Sequence, residues 1–211
     1  MSQDSFYPLM NRDVWFVQQV REWGEILTGF ESRNKYEIID EHGNALGFVV
    51  EESGGFMDTL LRLFLRSHRP FRALILDAQG TPVLQIIRPF FWIWSSLSIL
   101  NMSGEPLGEV HRRFALLHRQ YDLLNKELIP FARIWAGLFR IWTFDLKSLA
   151  DETIGMIAKK WSGMFQEMFT NSDRYIISID PSVALEPEEK AVVFATAISI
   201  DFDYFEKSSN S

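Results

Sequence analysis

The sequence predicts a mainly β domain in which an antiparallel meander closes into a barrel around one apolar helix. A turn of the form Asp/Asn-x-x-Gly-x recurs between apolar stretches, and residues 191–200 form one apolar segment. The 211 residues are 47% hydrophobic and 23% charged, which suffices for one well-buried core. We assign residues 1–13 to an N-terminal tail, 14–206 to a single domain and 207–211 to a C-terminal tail.

The recurring turn predicts the hairpins. Its three clear copies are Asp40-Glu-His-Gly43-Asn44, Asp77-Ala-Gln-Gly80-Thr81 and Asn101-Met-Ser-Gly104-Glu105. Asp or Asn caps the backbone at the first position, and Gly takes the positive φ of the bulge at the fourth. Two weaker copies are expected at 125–127 and 147–152. Ten or more strands in hairpin order favour a closed barrel, because closure removes exposed strand edges.

The apolar segment 191–200 is expected to be a helix buried in the barrel rather than a membrane span. Ten helical residues rise about 15 Å, half of the roughly 30 Å of a bilayer core. Extending the helix would bring in Asp201 and Asp203, each costing about 2.5–3.5 kcal/mol near the bilayer centre. Two alternatives remain for these carboxylates. Either both are solvated or hydrogen-bonded at the helix exit, or Asp201 lies inside the barrel with a polar partner.

The connections between hairpins are apolar and aromatic, although loops are usually polar. They are residues 56–66, 89–96 and 134–142, and they carry four of the seven tryptophans. One interpretation is a membrane-facing aromatic rim, since Trp and Phe favour the headgroup boundary and Arg reaches lipid phosphates. The other is that these side chains extend the core or form a subunit interface. The candidate membrane-binding residues are Phe56, Leu60, Leu61, Arg62, Phe64, Arg66, Phe90, Phe91, Trp92, Trp94, Trp135, Phe139, Arg140 and Trp142.

Composition and motifs argue against several classes of function. A net charge of −7 disfavours nucleic-acid binding. The absence of cysteine excludes disulfides, thiolate metal sites, cysteine nucleophiles and cysteine-linked lipids. The sequence has neither a Gly-rich phosphate loop nor a Gly-x-Ser-x-Gly elbow, so we expect no enzyme. The first twelve residues lack the pattern of a signal peptide.

Several segments resemble the phospholipid scramblase family. Leu27-Thr-Gly-Phe-Glu31 and Asn34–Ile38 are similar to its opening signature, and Arg69-Pro-Phe-Arg72 to its second hairpin. Ile157–Gly163 and Ile200–Glu206 are similar to its C-terminal block. The resemblance spans about residues 14–206. It implies a tubby-like closed barrel of twelve strands around a buried C-terminal helix.

The resemblance also implies a function. It suggests a membrane-associated protein on the cytoplasmic side of the plasma membrane that moves phospholipid between leaflets without ATP. The alternative is a tubby-like module that binds lipid headgroups or a protein without transport. A phospholipid membrane is the expected partner, and no nucleic acid is expected. A homo-oligomer and a protein partner are left open, and no cofactor is expected to be required.

Two departures from the family bear on this expectation. Animal members carry palmitoylated cysteine-rich segments where this chain has aromatic connections, so we expect aromatic insertion to replace lipid anchors. The family's acidic calcium loop corresponds to Asn171–Ser182, in which only Asp173 and Asp180 are acidic. Calcium takes about six to eight oxygen ligands. We therefore expect Asp173 and Asp180 to form at most a weak calcium site.

Overall fold

The computed structural model describes residues 5–20, 35–52, 71–89, 96–113, 118–137, 140, 143–159 and 174–201. Within these ranges the chain forms twelve strands, joined in one closed antiparallel barrel, and two helices. This confirms the predicted fold class. The strands are β1 Val14–Gln19, β2 Lys35–Ile39, β3 Ala45–Glu51, β4 Phe71–Asp77, β5 Pro82–Arg88, β6 Ser96–Asn101, β7 Pro106–Arg113, β8 His118–Asn125, β9 Pro130–Gly137, β10 Thr143–Ser148, β11 Thr153–Ala158 and β12 Arg174–Ile179. The helices are α1 Tyr7–Met10 and α2 Pro187–Ile200.

The barrel is an up-and-down meander with two chemically different ends. Each strand pairs with its neighbours in sequence, and β1 closes the barrel against β12, with Phe16 opposite Ile176. We call one end the turn end, because the tight turns 40–44, 77–81, 101–105, 125–129 and 148–152 lie there. The opposite end, where β1, β3, β5, β7, β9 and β11 finish, is the link end.

The five tight turns share one hydrogen-bond pattern. In the turn 40–44, Gly43 donates its backbone N–H to the carbonyl of Asp40, and Asn44 donates its backbone N–H to the Asp40 side chain. Asn125 and Ser148 open their turns in the same way. The three predicted glycines have φ between 80° and 83°, as their position requires. The two weaker copies are therefore full five-residue turns, the first at 125–129 rather than 125–127.

Helix α2 runs through the barrel from the turn end to the link end. Pro187 occupies its first turn, and Glu186 and Glu189 form a capping box there. Every residue from Lys190 to Ile200 is buried, which confirms the predicted core helix. The helix packs most closely against β7 and β8, and Phe194 meets the ring of Trp15 edge-on at 5.8 Å.

The core also includes residues that the sequence analysis assigned to the N-terminal tail. Phe6, Leu9 and Met10 are all at most 5% exposed, and α1 packs against α2. Trp15 Nε1 donates a hydrogen bond of 2.9 Å to the carbonyl of Leu9. The packed unit therefore begins before Val14.

One glycine permits the close approach of helix and wall. A Cβ built on Gly108 in β7 would lie 2.6 Å from Val192 Cγ2 of α2 and would also overlap the Leu124 carbonyl oxygen in β8. A Cβ built on Gly137 would meet only the Trp135 ring, at 3.5 Å. The two positions therefore differ sharply in the space that they offer.

We predict that Gly108→Ala lowers the free energy of unfolding by about 2 kcal/mol or more, because β7 must move away both from α2 and from the Leu124 carbonyl of β8. Gly137→Ala is the matched control, and we expect it to change stability by less than about 0.5 kcal/mol. Urea unfolding followed by tryptophan fluorescence measures both. Equal effects at the two positions would show that α2 is not held against β7 as described.

Candidate functional site

Most of the predicted aromatic rim lies outside the described residues. This applies to Phe56, Leu60, Leu61, Arg62, Phe64, Arg66, Phe90, Phe91, Trp92, Trp94, Phe139 and Trp142, and also to Asp173 and Asp203. The described strand ends on either side of these segments, such as Glu51 with Phe71 and Arg88 with Ser96, all lie at the link end. The choice between a membrane rim and an extended core therefore stays open for these residues.

Trp135 lies in the barrel wall, so the prediction that residues 134–137 belong to a connection is wrong. Strand β9 continues to Gly137, with Ile134 and Ala136 fully buried in the core. Trp135, between them, is partly buried on the outer surface. Its ring lies 5.6 Å from Lys147 Nζ and 6.1 Å from the His118 ring. The strand alternation thus places it on the outer wall, near the link end.

Arg140 lies close to Trp135 on the same outer surface. Its Nη1 donates a hydrogen bond of 2.6 Å to Asp145, which stands opposite Trp135 in the β9–β10 register. The arginine side chain is 51% exposed, so the ion pair is open to solvent. Exposed pairs contribute at most about 1 kcal/mol. The structure therefore brings together two of the predicted membrane-binding residues, Trp135 and Arg140.

Charged side chains line the inside of the barrel at the link end. Glu51 stands opposite Ala73, and Ala73 opposite Ile86, both of which are core residues. Residues directly opposite share a face, and Arg88 lies two residues after Ile86 on that face. Glu51 and Arg88 are each only 2% exposed. Two oppositely charged groups are therefore buried within the barrel.

Other polar residues continue this lining. Arg112 stands opposite the buried Tyr121, and the Arg119 guanidinium lies 6.0 Å from the Phe144 ring. Lys159 follows the buried Ile157 by two residues. We call the set the inner polar layer: Tyr36, Glu51, Arg88, Arg112, Arg119, Tyr121, Lys159, Tyr175 and Asp201. Each charged member has a polar, electrostatic or ring contact, as burial of charge requires. Of these residues, only Asp201 was predicted from the sequence. The alternation of inward and outward side chains along the strands indicates that the others face the interior.

Asp201 ends α2 within this layer. The residue is buried, with 6% exposure, and its backbone N–H donates to the carbonyls of Ala197 and Ile198. Of the two alternatives for this residue, the structure supports the position inside the barrel. Burial of the Tyr175 side chain, together with the nearby Asp201 charge, raises the pKa of Tyr175 well above 10.0. Tyr175 therefore stays neutral and able to donate a hydrogen bond.

The two ends of the barrel carry opposite charge. Residues 40–44, 77–81, 101–105, 125–129, 148–152 and 180–189 at the turn end contain eleven carboxylates and one lysine. At the link end, the described residues within three of each strand end or of Asp201 comprise nine Lys or Arg and five Asp or Glu. The cations are Lys35, Arg72, Arg88, Arg112, Arg113, Arg119, Arg140, Lys159 and Arg174, and the anions are Glu37, Glu51, Glu52, Asp145 and Asp201. The helix dipole of α2 is complemented at both ends by this arrangement.

The segment predicted as a calcium loop contains a strand. Residues 174–179 form β12, so Asp180 at the turn end is separated from residue 174 at the link end by about 20 Å. The Asp180 carboxylate accepts hydrogen bonds from the N–H and Oγ of Ser182, which lower its pKa. Among the described residues no cluster of three His, Asp or Glu side chains could hold a metal ion. Asp180 thus lies at the turn end, and the weak calcium site with Asp173, which lies outside the described residues, stays a prediction.

In the described part of the chain, no helix combines the length and apolar character needed to cross a bilayer.

A comparison with known proteins identifies a family that this chain matches. A family model described as Scramblase matches residues 2–207. A phospholipid scramblase family protein of Schizosaccharomyces pombe is 30% identical, over 95% of this chain and 61% of its own length. Phospholipid scramblase 1 of Mus musculus is 32% identical, over 94% of this chain and 62% of its own length. The chain thus spans about three fifths of the length of these two relatives.

Two further proteins are similar at lower identity. Altered inheritance rate of mitochondria protein 25 of Saccharomyces cerevisiae is 26% identical, over 95% of this chain and 73% of its own length. A solved X-ray structure of a protein from Arabidopsis thaliana aligns with 94% of this chain and 93% of its own, at 14% identity and a TM-score of 0.47.

We predict that Asp201→Asn lowers the pKa of Tyr175 while leaving it above 10.0, because burial, the larger cause, remains. Phenolate absorbance titration, with Tyr175→Phe subtracted, measures this pKa. In the unfolded chain tyrosine ionises near 10.0, so the contribution of Tyr175 to stability is constant below that pH and falls above it. Titration of Tyr175 near 10.0 in the unaltered protein would contradict the assigned burial.

Proposed function

The chain belongs to the scramblase family, and from this we propose that it is a membrane-associated protein that moves phospholipid between leaflets without ATP. In this proposal the barrel meets the membrane with its link end. No step needs a nucleophile or a cofactor, because lipid crossing makes and breaks no covalent bond.

The observation that carries the proposal is the opposite charge of the two barrel ends. An anionic membrane surface attracts Lys and Arg with about 1 kcal/mol each and repels carboxylates. The described link end has four more cations than anions, whereas the turn end has ten more anions than cations. The field of the membrane therefore orients the barrel with its link end toward the lipid.

The aromatic segments support the same orientation. Residues 53–70 and 90–95, which carry Trp92 and Trp94, connect strands at the link end. Trp and Phe favour the headgroup boundary, where the arginines of residues 53–70 pair with phosphate. Trp135 and Arg140 on the outer wall extend this contact beyond the end itself.

The barrel interior limits how transport can occur. Between the inner polar layer and the turn end, the inward-facing side chains are mainly apolar and surround α2. Moving a lipid headgroup into this apolar interior costs several kcal/mol wherever its polar atoms lack hydrogen-bond partners. Lipid crossing is therefore assigned to the outside of the barrel. The same observation favours a second candidate function, a module that binds lipid headgroups or a protein partner without transport.

The remaining features of the proposal follow from charge and geometry. We place the protein on the cytoplasmic side of the plasma membrane, where anionic lipids are concentrated. Calcium is not required, since Asp180 is engaged by Ser182 and remote from residue 174. Nucleic acid is not a partner of a chain with net charge −7. Self-association and the tubby-like relationship stay predictions from the family resemblance.

A scrambling assay tests the proposal directly. Vesicles with fluorescent lipid in the inner leaflet are treated with an impermeant quencher, in calcium and in chelator. We expect quenching of inner-leaflet lipid in both conditions. If the protein is bound to the vesicles but no lipid crosses, the non-transporting module is the correct function.

For the membrane contact, we predict that Trp92→Ser with Trp94→Ser weakens binding to anionic vesicles about tenfold, because two aromatic groups leave the interface. Leu149→Ser at the turn end is the matched control, since Leu149 is 56% exposed and faces away from the membrane. Vesicle flotation measures both variants. Unchanged binding of the folded tryptophan variant would reject the aromatic rim.

A further inference from the structure

Four large apolar side chains at the turn end are exposed. They are Met102, Leu128, Ile129 and Leu149, with exposures of 43%, 55%, 59% and 56%. They lie in the turns β6–β7, β8–β9 and β10–β11, which are consecutive around the barrel. We call these four residues the turn-end patch. Its position is opposite to the end assigned to the membrane.

Leu128 occupies its position at a conformational cost. It is the fourth residue of its turn and has φ 61°, where Gly43, Gly80 and Gly104 have φ near 80°. A positive φ raises the conformational free energy of a bulky residue by roughly 1–2 kcal/mol, a cost that glycine avoids. The side chain is exposed and does not repay this cost through burial in the core. Asp151, the fourth residue of its own turn, also has a positive φ of 67°, but Asp adopts this conformation more readily than Leu. The exposed Leu128 is therefore a candidate contact for a partner outside the folded chain.

A cavity of about 480 Å³ opens beside the patch. Phe6, Pro106 and Leu107 give it apolar walls, and its charged lining consists of the carboxylates of Glu105 and Glu188 and the ammonium group of Lys126. Both carboxylates are held in place, Glu105 by Asn101 Nδ2 at 2.7 Å and Glu188 by the Tyr7 hydroxyl at 2.7 Å. The cavity can therefore receive an apolar side chain while its carboxylates meet a cation.

The negative charge of the turn end determines which kind of partner it can bind. Its eleven carboxylates and one lysine repel an anionic membrane, and they repel the same end of a second copy. They attract lysine and arginine. Apolar surface flanked by ordered carboxylates is the arrangement that recognises a basic amphipathic segment.

We propose that the turn end is a docking surface for a basic amphipathic segment of a partner protein. The segment places apolar side chains on Leu128 and Ile129 and in the adjoining cavity. Its lysines or arginines approach Glu105 and Glu188. With the link end at the membrane, this surface faces the aqueous phase, where a protein partner can reach it.

Leu128→Gly provides the test, because it removes the apolar side chain and relieves the backbone at the same time. The variant should unfold at an equal or higher denaturant concentration, so that lost binding cannot be assigned to misfolding. The probe is a fluorescent peptide in which lysine and leucine are spaced to give one apolar helical face. Two comparison peptides replace lysine by glutamate or leucine by serine.

Fluorescence anisotropy should show micromolar binding of the lysine–leucine peptide to the unaltered full chain. The affinity should be at least tenfold lower for Leu128→Gly, and it should also be lower for Glu188→Gln. Both comparison peptides should bind at least tenfold less. No binding by the unaltered chain, or equal binding by Leu128→Gly or by the glutamate peptide, would overturn the proposal. Weaker vesicle binding by Leu128→Gly would also overturn it, by showing that the patch contacts lipid. Failure of the unaltered chain to bind vesicles would instead count against the proposed membrane function alone.

Discussion

The structure depends on the enclosure of an apolar helix by a closed sheet. Helix α2 has fourteen residues and buries the last eleven of them, so it cannot be stable on a surface or as an isolated element. The barrel in turn needs the helix, because the inward faces of twelve strands would otherwise enclose a void. Gly108 and the contact between Trp15 and Phe194 are local consequences of this mutual requirement. The inner polar layer is another, since the carbonyl end of a buried helix needs donors and cations nearby.

The enclosed helix also explains why the two ends differ. Its N-terminus brings a partial positive charge to the turn end, where Glu186, Glu188 and Glu189 complement it. Its C-terminus and Asp201 bring negative charge to the link end, where Arg88, Arg112 and Arg119 belong to the same inner polar layer. A barrel with a polarised helix along its interior is thereby polarised itself. The functional assignments to the two ends rest on this polarity as much as on the aromatic composition of the connecting segments.

Sequence reasoning succeeded where local chemistry is decisive. Asp40, Asp77 and Asn101 with their glycines marked turns that the backbone adopts, and the all-apolar run before Asp201 marked the core helix. It failed where long-range packing decides. Nothing periodic in residues 6–10 indicated burial, and Arg174–Ile179 was mistaken for a loop although Tyr175, Ile177 and Ile179 alternate as in a strand. The inner polar layer was missed because charged residues are usually assigned to the surface, whereas closure of the sheet turned Glu51 and Arg88 inward.

The pairing of β1 with β12 has a consequence for how the protein is made. Phe16 can pair with Ile176 only after Ile176 has been synthesised, and the helix that fills the barrel is synthesised still later. Hairpins can form on the ribosome as they emerge, but β1 keeps an open edge until almost the whole chain is available. Such long-range closure makes folding slow and exposes incomplete chains to aggregation. A chain shortened before β12 would lack both the closing strand and the central helix, so this barrel forms completely or not at all.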